Sequence, residues 1–249
     1  MKIDPLYILP NLFTGASIYI GILAVSYAFV GRFELACWLV LMSLIFDGLD
    51  GRIARLTGTT SKFGVEFDSL ADVVAFGVAP AMILFFYGGF HYGKFGVVVA
   101  GLYVVFGAIR LARFNVTTNN NEPNVFIGLP IPAAAVFVVS WLLFEMELSK
   151  QYPQYSESIF LLPLMFVSLV VAILMVSNVR YPSFKKMSFE KFSFGKVIVL
   201  LMIALAILYL YPIYSITTLI SLYVCFGPAR ATYYICIRHL SKDSKDSKE

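Results

Sequence analysis

Charge is what this sequence has least of. Only 14% of its 249 residues are Asp, Glu, Lys or Arg, against about 25% in a soluble domain. Hydrophobic residues make up 59% of the chain and its mean hydropathy is +0.82. That excludes an ordinary soluble fold and points to a polytopic membrane protein. With lipid in place of most of the core, the size rules for soluble domains do not apply. The chain reads as one membrane domain over residues 1–240, with a polar, low-complexity tail at 241–249 expected to be disordered. Cysteine is scarce as well: Cys37, Cys225 and Cys236 stand apart in or beside apolar segments. An odd number without metal or redox spacing argues against a disulfide framework and for small buried apolar residues. No cleavable leader stands out, because Met1–Pro10 has one Lys and no small-residue cleavage site. The first span is therefore expected to stay in the mature protein.

What the chain has in abundance is apolar runs. They predict about eight spans, near 11–30, 34–56, 64–87, 95–115, 132–146, 159–177, 197–211 and 213–236. The expected fold is an all-α, polytopic transmembrane helix bundle. Residues 1–8 suggest a short interfacial segment, Asn11 is placed to cap the first span, and Gly77 and Pro80 should bend the third. Residues 147–157 read as an acidic, polar loop. Eight spans put both termini on one side of the membrane. Sorting the nineteen Lys and Arg residues by side leaves only Arg32, Lys94 and Lys150 opposite the other sixteen. The positive-inside rule then predicts that both termini, and the segment joining spans two and three, face the cytoplasm.

That segment, residues 47–72 (DGLDGRIARLTGTTSKFGVEFDSLAD), is the centre of the sequence. Asp47 ends one apolar run and Asp72 begins the next. Asp47 and Asp50 are three apart, Asp68 and Asp72 four apart, so on helices each pair shares a face. If a short turn near 57–62 joins the two helices, the acidic faces can meet. Carboxylates at membrane depth are costly and usually functional, and four at close range cannot all stay ionised without cations among them. An all-oxygen donor set suits Mg²⁺, Mn²⁺ or Ca²⁺. The segment holds no His or Cys, which argues against zinc. Two divalent ions about 4 Å apart can clamp a diphosphate. Gly51, Ala54 and Gly64 would let a nucleotide approach the backbone closely. Arg55 offers a planar fork for phosphate oxygens, and Ser61 and Lys62 can reach phosphate from the turn or simply lie in solvent.

The pattern D-x2-D-G-x2-A-R-x8-G-x3-D-x3-D resembles the signature of the CDP-alcohol phosphatidyltransferase family at every signature position. The resemblance implies transfer of a phosphatidyl-type group from a CDP-linked lipid to an alcohol, with release of CMP. It assigns Asp47, Asp50 and Asp68 to two divalent cations, Mg²⁺ or Mn²⁺, and Asp72 to the general base with a possible metal contact. Pro10, Asn11 and Thr14 match a family Pro-Asn and following Thr near the nucleotide, although a helix cap and a satisfied hydroxyl fit Asn11 and Thr14 as well. The flanking stretches FDSLADVVAFGVAPA, RLARFN (110–115), GLPIPAAA (128–135) and SNVRYPSF (177–184) look like the membrane-integral phosphatidylserine synthase branch. The implied acceptor is L-serine, and the lipid is either a diacylglycerol or an archaeal ether lipid. The similarity runs from about residue 9 to 186. A homodimer among membrane lipids is implied by resemblance alone, and no nucleic acid is expected as a partner.

Serine carries a carboxylate and needs a cation. Arg110 and Arg113 share a face at the expected cytoplasmic end of span four. One is expected to hold that carboxylate and the other a lipid phosphate, unless both only mark positive-inside topology. Asn115 can orient the ammonium or serve the helix end. Other readings differ in acceptor or in class. Glycerol 3-phosphate or inositol phosphate would bring a dianionic phosphate and need a denser basic pocket. A divalent-cation transporter would need polar residues along a whole path, yet the acids cluster at one face and spans six to eight have no Asp or Glu in their cores. A lipid-binding scaffold without turnover is the third reading.

Overall fold

Small residues decide how the first two helices meet. In a computed structural model of the chain, α1 (Ile8–Phe29) and α2 (Phe33–Leu56) are joined by a tight turn. The model describes residues 8–117, 125–152, 157–182 and 194–246. α1 buries Thr14, Ser17, Gly21, Ala24 and Ala28; α2 buries Ala36, Val40, Ser43 and Asp50, with Cys37 beside them. The steps of three and four draw one stripe along each helix. Small side chains let the backbones approach, and the Ser17 and Ser43 hydroxyls bond at 2.7 Å across the seam. Extended past Ser43, the α2 stripe runs through Asp47 to Asp50, so these acids lie on a packing seam.

After a turn over residues 57–61, Ser61 caps α3 (Lys62–Asp72) by accepting from the Gly64 amide at 3.0 Å. The helix then widens into a π turn, Val73–Val78, before α4 (Ala79–Tyr87). Pro80 explains the change. It has no N–H for the Phe76 carbonyl and its ring crowds that oxygen. The Ala79 amide accordingly reaches back five residues to the Val74 carbonyl. The bend expected at Gly77 and Pro80 thus takes the form of a wide turn. It packs closely on α1, where a Cβ on Gly21 would lie 3.0 Å from the Ala75 Cα.

A 3-10 turn (Gly89–Tyr92) leads into α5 (Lys94–Thr117), followed by α6 (Ile131–Gln151), α7 (Glu157–Val176), α8 (Phe194–Leu210) and α9 (Pro212–Asp246). The α6 helix is central and buries Ile131, Ala134, Ala135, Val138, Val139, Leu142 and Leu143. It is held to α9 by the Trp141 indole, which donates to Ser221 at 3.0 Å, and by the Thr217 hydroxyl, which donates to the Ser140 carbonyl at 3.1 Å. Ile8–Phe29, Lys62–Tyr87, Lys94–Val116, Ile131–Gln151 and Pro212–Tyr233 are long and apolar enough to cross a membrane; Phe160–Val176 and Ile198–Leu210 are apolar but shorter. The α2 helix carries acids and arginines in its last turns. The protein is a multi-pass membrane helix bundle.

Several expectations shift. α1 starts at Ile8, so Asn11 is inside its first turns and does not cap it. Residues 147–151, expected as loop, extend α6, and Lys150 there pairs with Glu34 at 2.7 Å. The tail, expected to be disordered from 241, is helical through Asp246. Cys37 is buried as expected, but Cys225 is exposed on α9, where an outward position suits a small apolar residue in lipid. The bundle also contains strand: β1 (Val125–Ile127) pairs antiparallel with β2 (Arg180–Pro182), Phe126 opposite Tyr181. The expected interfacial segment falls mainly on 1–7, outside the described residues.

Candidate active site

The α2–α3 hairpin brings three carboxylates together. One oxygen from each of Asp47, Asp50 and Asp68 lies within 4.8 Å of the others. The stripe of α2 supplies the first two, and the turn of α3 after its Ser61 cap supplies the third. Asp72, one turn further along α3, is only 8% exposed and adjoins Asp47 and Asp68. Asp47 and Asp72 each keep one buried carboxylate oxygen, Oδ1, without a hydrogen-bond partner. Buried acceptors left in this state are costly. An oxygen-only donor set with two such atoms fits a hard divalent cation.

Asp50 is held from two sides. Thr14 donates to its Oδ2 at 2.6 Å and the Gly51 amide donates to its Oδ1. This gives Thr14 a task that its place near the expected nucleotide did not suggest: it orients a carboxylate across the α1–α2 seam. Beside the acids lies a cavity of about 190 Å³, lined by Asn11, Thr14, Asp50, Gly51, Ala54, Arg55, Ser61, Gly64 and Asp68, with Pro10, Thr59, Thr60 and Val65. The first set contains the sequence candidates for the nucleotide with one exception. Lys62 is exposed as the first residue of α3 and is not part of this lining. Thr59 and Thr60 were missed; the GTT turn between the two acidic halves was the available signal.

Near Asp72 stands Arg110 of α5. It is 6% exposed, its Nε is buried without a partner, and it lies within electrostatic reach of Asp72. The constellation has an all-oxygen donor cluster, a cavity with a guanidinium at its wall, and a buried arginine near the last acid. A scan against family models matches CDP-alcohol phosphatidyltransferase over residues 7–173.

The chain belongs to the CDP-alcohol phosphatidyltransferase family.

It is therefore a transferase, which sets aside the transporter and scaffold readings. It is 50% identical over 230 residues to the CDP-diacylglycerol–serine O-phosphatidyltransferase of Helicobacter pylori, covering 92% of this chain and 93% of that one. It is 37% identical over 185 residues to the archaetidylserine synthase of Methanothermobacter thermautotrophicus, covering 73% and 72%. It is 33% identical over 228 residues to the CDP-diacylglycerol–serine O-phosphatidyltransferase of Mycobacterium tuberculosis, covering 90% and 78%. The family-matched segment carries all four aspartates, Arg55 and Arg110. It leaves β2, α8 and α9 outside.

Two expected acceptor residues of this family member are engaged elsewhere. The Arg113 guanidinium donates to the backbone carbonyls of Val176 (3.0 Å), Ile127 (3.1 Å), Ser177 (3.1 Å) and Met175 (3.4 Å), and to Asn178 Oδ1 (3.4 Å). These acceptors include the end of α7, whose last carbonyls lack helical partners. Gly128 sits against the same clasp at φ 77, and a Cβ there would lie 2.7 Å from Arg113. Arg113 is thus a structural tie, and its expected part in holding the acceptor or a lipid phosphate would fall to a guanidinium already engaged with the backbone. Asn115 donates to Ser69 at 3.0 Å and Glu66 at 3.3 Å. It ties α5 to α3, and since α5 continues to Thr117 it does not end the helix.

Proposed function

We propose that this protein transfers a phosphatidyl-type group from a CDP-linked lipid to the hydroxyl of L-serine, giving the serine phospholipid and CMP. The observation that carries this is the juxtaposition at Asp72 of the clustered acids and a buried arginine with an open Nε. The names of the serine-specific relatives support the acceptor. The archaeal relative leaves open whether the lipid is a diacylglycerol or an ether lipid.

Asp47, Asp50, Asp68 and Asp72 would hold two divalent cations, Mg²⁺ or Mn²⁺. Bound there, the ions supply charge neutralisation of the diphosphate and polarisation of its phosphorus. The chain's own residues do the rest. Gly51, Ala54 and Gly64 present bare backbone to the nucleotide, with Asn11, Thr14 and Ser61 around it. Arg55 faces its phosphates. Arg110 holds the serine carboxylate, which turns the hydroxyl toward Asp72. Asp72 accepts the hydroxyl proton as that oxygen forms a bond to the lipid-side phosphorus, and the bond to CMP breaks.

In this reading the bundle crosses the membrane eight times, with both termini and the site at the cytoplasmic face. The Lys and Arg distribution supports that orientation, and a soluble amino acid must reach the site. A homodimer surrounded by lipid completes the reading on family resemblance. The test is product identification by mass spectrometry with purified protein, CDP-diacylglycerol and a panel of alcohols. Serine should give phosphatidylserine and CMP. Reaction with glycerol 3-phosphate and none with serine would remove the acceptor assignment. Chelation should stop turnover and Mg²⁺ or Mn²⁺ restore it; undiminished activity after metal stripping would remove the cation assignment.

A further inference from the structure

The acids of α2 and α3 are aimed by different means. Asp50 receives hydrogen bonds directly, from Thr14 and from the Gly51 amide. Asp68 and Asp72 ride on α3, so their direction depends on how that helix is turned about its axis. α3 is only eleven residues long. The 57–61 turn precedes it and the π turn Val73–Val78 follows it. Regular helical register is interrupted at both ends, so the rest of the span does not by itself fix that rotation.

A side contact does. Ser69 follows Asp68 directly and precedes Asp72 by three residues. Its hydroxyl donates to the Val65 carbonyl at 3.1 Å, which leaves the oxygen free to accept from Asn115 Nδ2 at 3.0 Å. Nδ2 also donates to Glu66 Oε2 at 3.3 Å. Glu66 and Ser69 are three apart and share a face of α3. Asn115 therefore grips the helix at two points, one turn apart, beside the acidic face and not on it. The end of α5 that carries Asn115 is itself anchored. Two residues earlier, Arg113 donates to the carbonyls of Val176 and Ile127.

We infer that Asn115, acting through Ser69 and Glu66, is a positioning residue for the cation ligands Asp68 and Asp72. The physical reason is leverage. At roughly 5 Å from a helix axis, a rotation of about 10° moves a carboxylate by about 1 Å. Metal–ligand distances tolerate only about 0.2 Å. A neutral amide also makes the tie without adding a cation that would compete for the same acids.

This rests on the aspartates holding divalent cations, and the experiment separates the two. Mn²⁺ binding to the purified full-length protein is read from the paramagnetic resonance of the free ion, with no substrate present. Asn115→Leu should raise the Mn²⁺ dissociation constant by about fivefold, with the serine KM kept within about twofold. Ser69→Ala should raise it by about threefold, and Ser69→Thr, which keeps the hydroxyl, should bind as the unmodified protein does. The double variant should bind no more weakly than Asn115→Leu alone, because both changes remove the same bond. A lowered melting temperature with unchanged Mn²⁺ binding would make Asn115 a structural tie only and overturn the inference. A raised serine KM with unchanged Mn²⁺ binding would place Asn115 at the acceptor and overturn it as well. If Asp68→Asn weakens Mn²⁺ binding and Asn115→Leu does not, the inference fails alone. If neither does, the cation reading falls and takes the inference with it. Should Asn115→Leu fail to fold, Ser69→Ala decides, and unchanged Mn²⁺ binding in it overturns the inference.

Discussion

The two ends of the site are put together in different ways. The cation and nucleotide end draws on one hairpin, residues 47–72, closed by the start of α1. The proposed acceptor end stands on Arg110 of α5, a segment remote from that hairpin in the chain. Arg110 and Arg113 condense the contrast. They are one turn apart on one helix, yet Arg110 is buried toward Asp72 with an open Nε, whereas Arg113 is bound up with the carbonyls of Ile127 and the α7 end. Chemistry that follows helical register can be built from neighbours in sequence. Selectivity for a ligand has to be assembled from whatever the fold brings together.

The largest expected effect falls where the two ends meet. Asp72→Asn keeps the shape of the side chain and removes its basicity, so kcat should fall by about a thousandfold, with the thermal transition in detergent unchanged. CMP release is the readout. Turnover within about tenfold of the unmodified protein would take the base role from Asp72 and break the idea that the ends converge on it.

Arg113→Ala separates the paired arginines. It leaves the carbonyls of Ile127, Val176 and Ser177 without this donor, at a cost of about 2–4 kcal/mol of stability. The change should appear as a lowered melting temperature, with the serine KM of the folded protein unmoved. A raised serine KM at unaltered stability would return Arg113 to the acceptor site.

The same contrast explains what the sequence could disclose. Offsets of three and four put Asp47 with Asp50 and Asp68 with Asp72 on helical faces, and the intervening turn lets those faces meet. That much follows from local geometry. The cavity lining was legible for the same reason at Gly51, Ala54, Arg55 and Gly64. The partners of Arg113 were not, because they are backbone carbonyls whose position depends on where α7 ends. The strand pair was hidden because three residues are too few for alternation to show.

Thr14 lies between these cases. Its shared face with Asn11 could be read from the spacing, but its bond to Asp50 joins residues 36 apart. Groups that orient cation ligands commonly contribute about 10- to 100-fold to affinity or activity. Thr14→Val should therefore raise the Mg²⁺ or Mn²⁺ concentration for half-maximal activity by about tenfold, and Thr14→Ser should restore it. An unshifted metal titration would leave Thr14 as packing between α1 and α2.

The smallest effect gives the sharpest separation of the two ends. A Cβ at Gly64 would lie 3.2 Å from Ser61 Oγ and 3.7 Å from Asn11 Oδ1, both on the cavity wall. The position is inside α3, where alanine is a better helix former than glycine by about 1 kcal/mol. Gly64→Ala should therefore keep or slightly raise stability while narrowing the nucleotide cavity. The expected result is a KM for CDP-lipid raised about threefold, with weaker inhibition by CMP to match. Serine binding should not change, since Arg110 is not part of this cavity lining. A parallel rise in the serine KM would mean that the hairpin and the acceptor end respond as one unit, through α3, and that the division between them is one of chain order only.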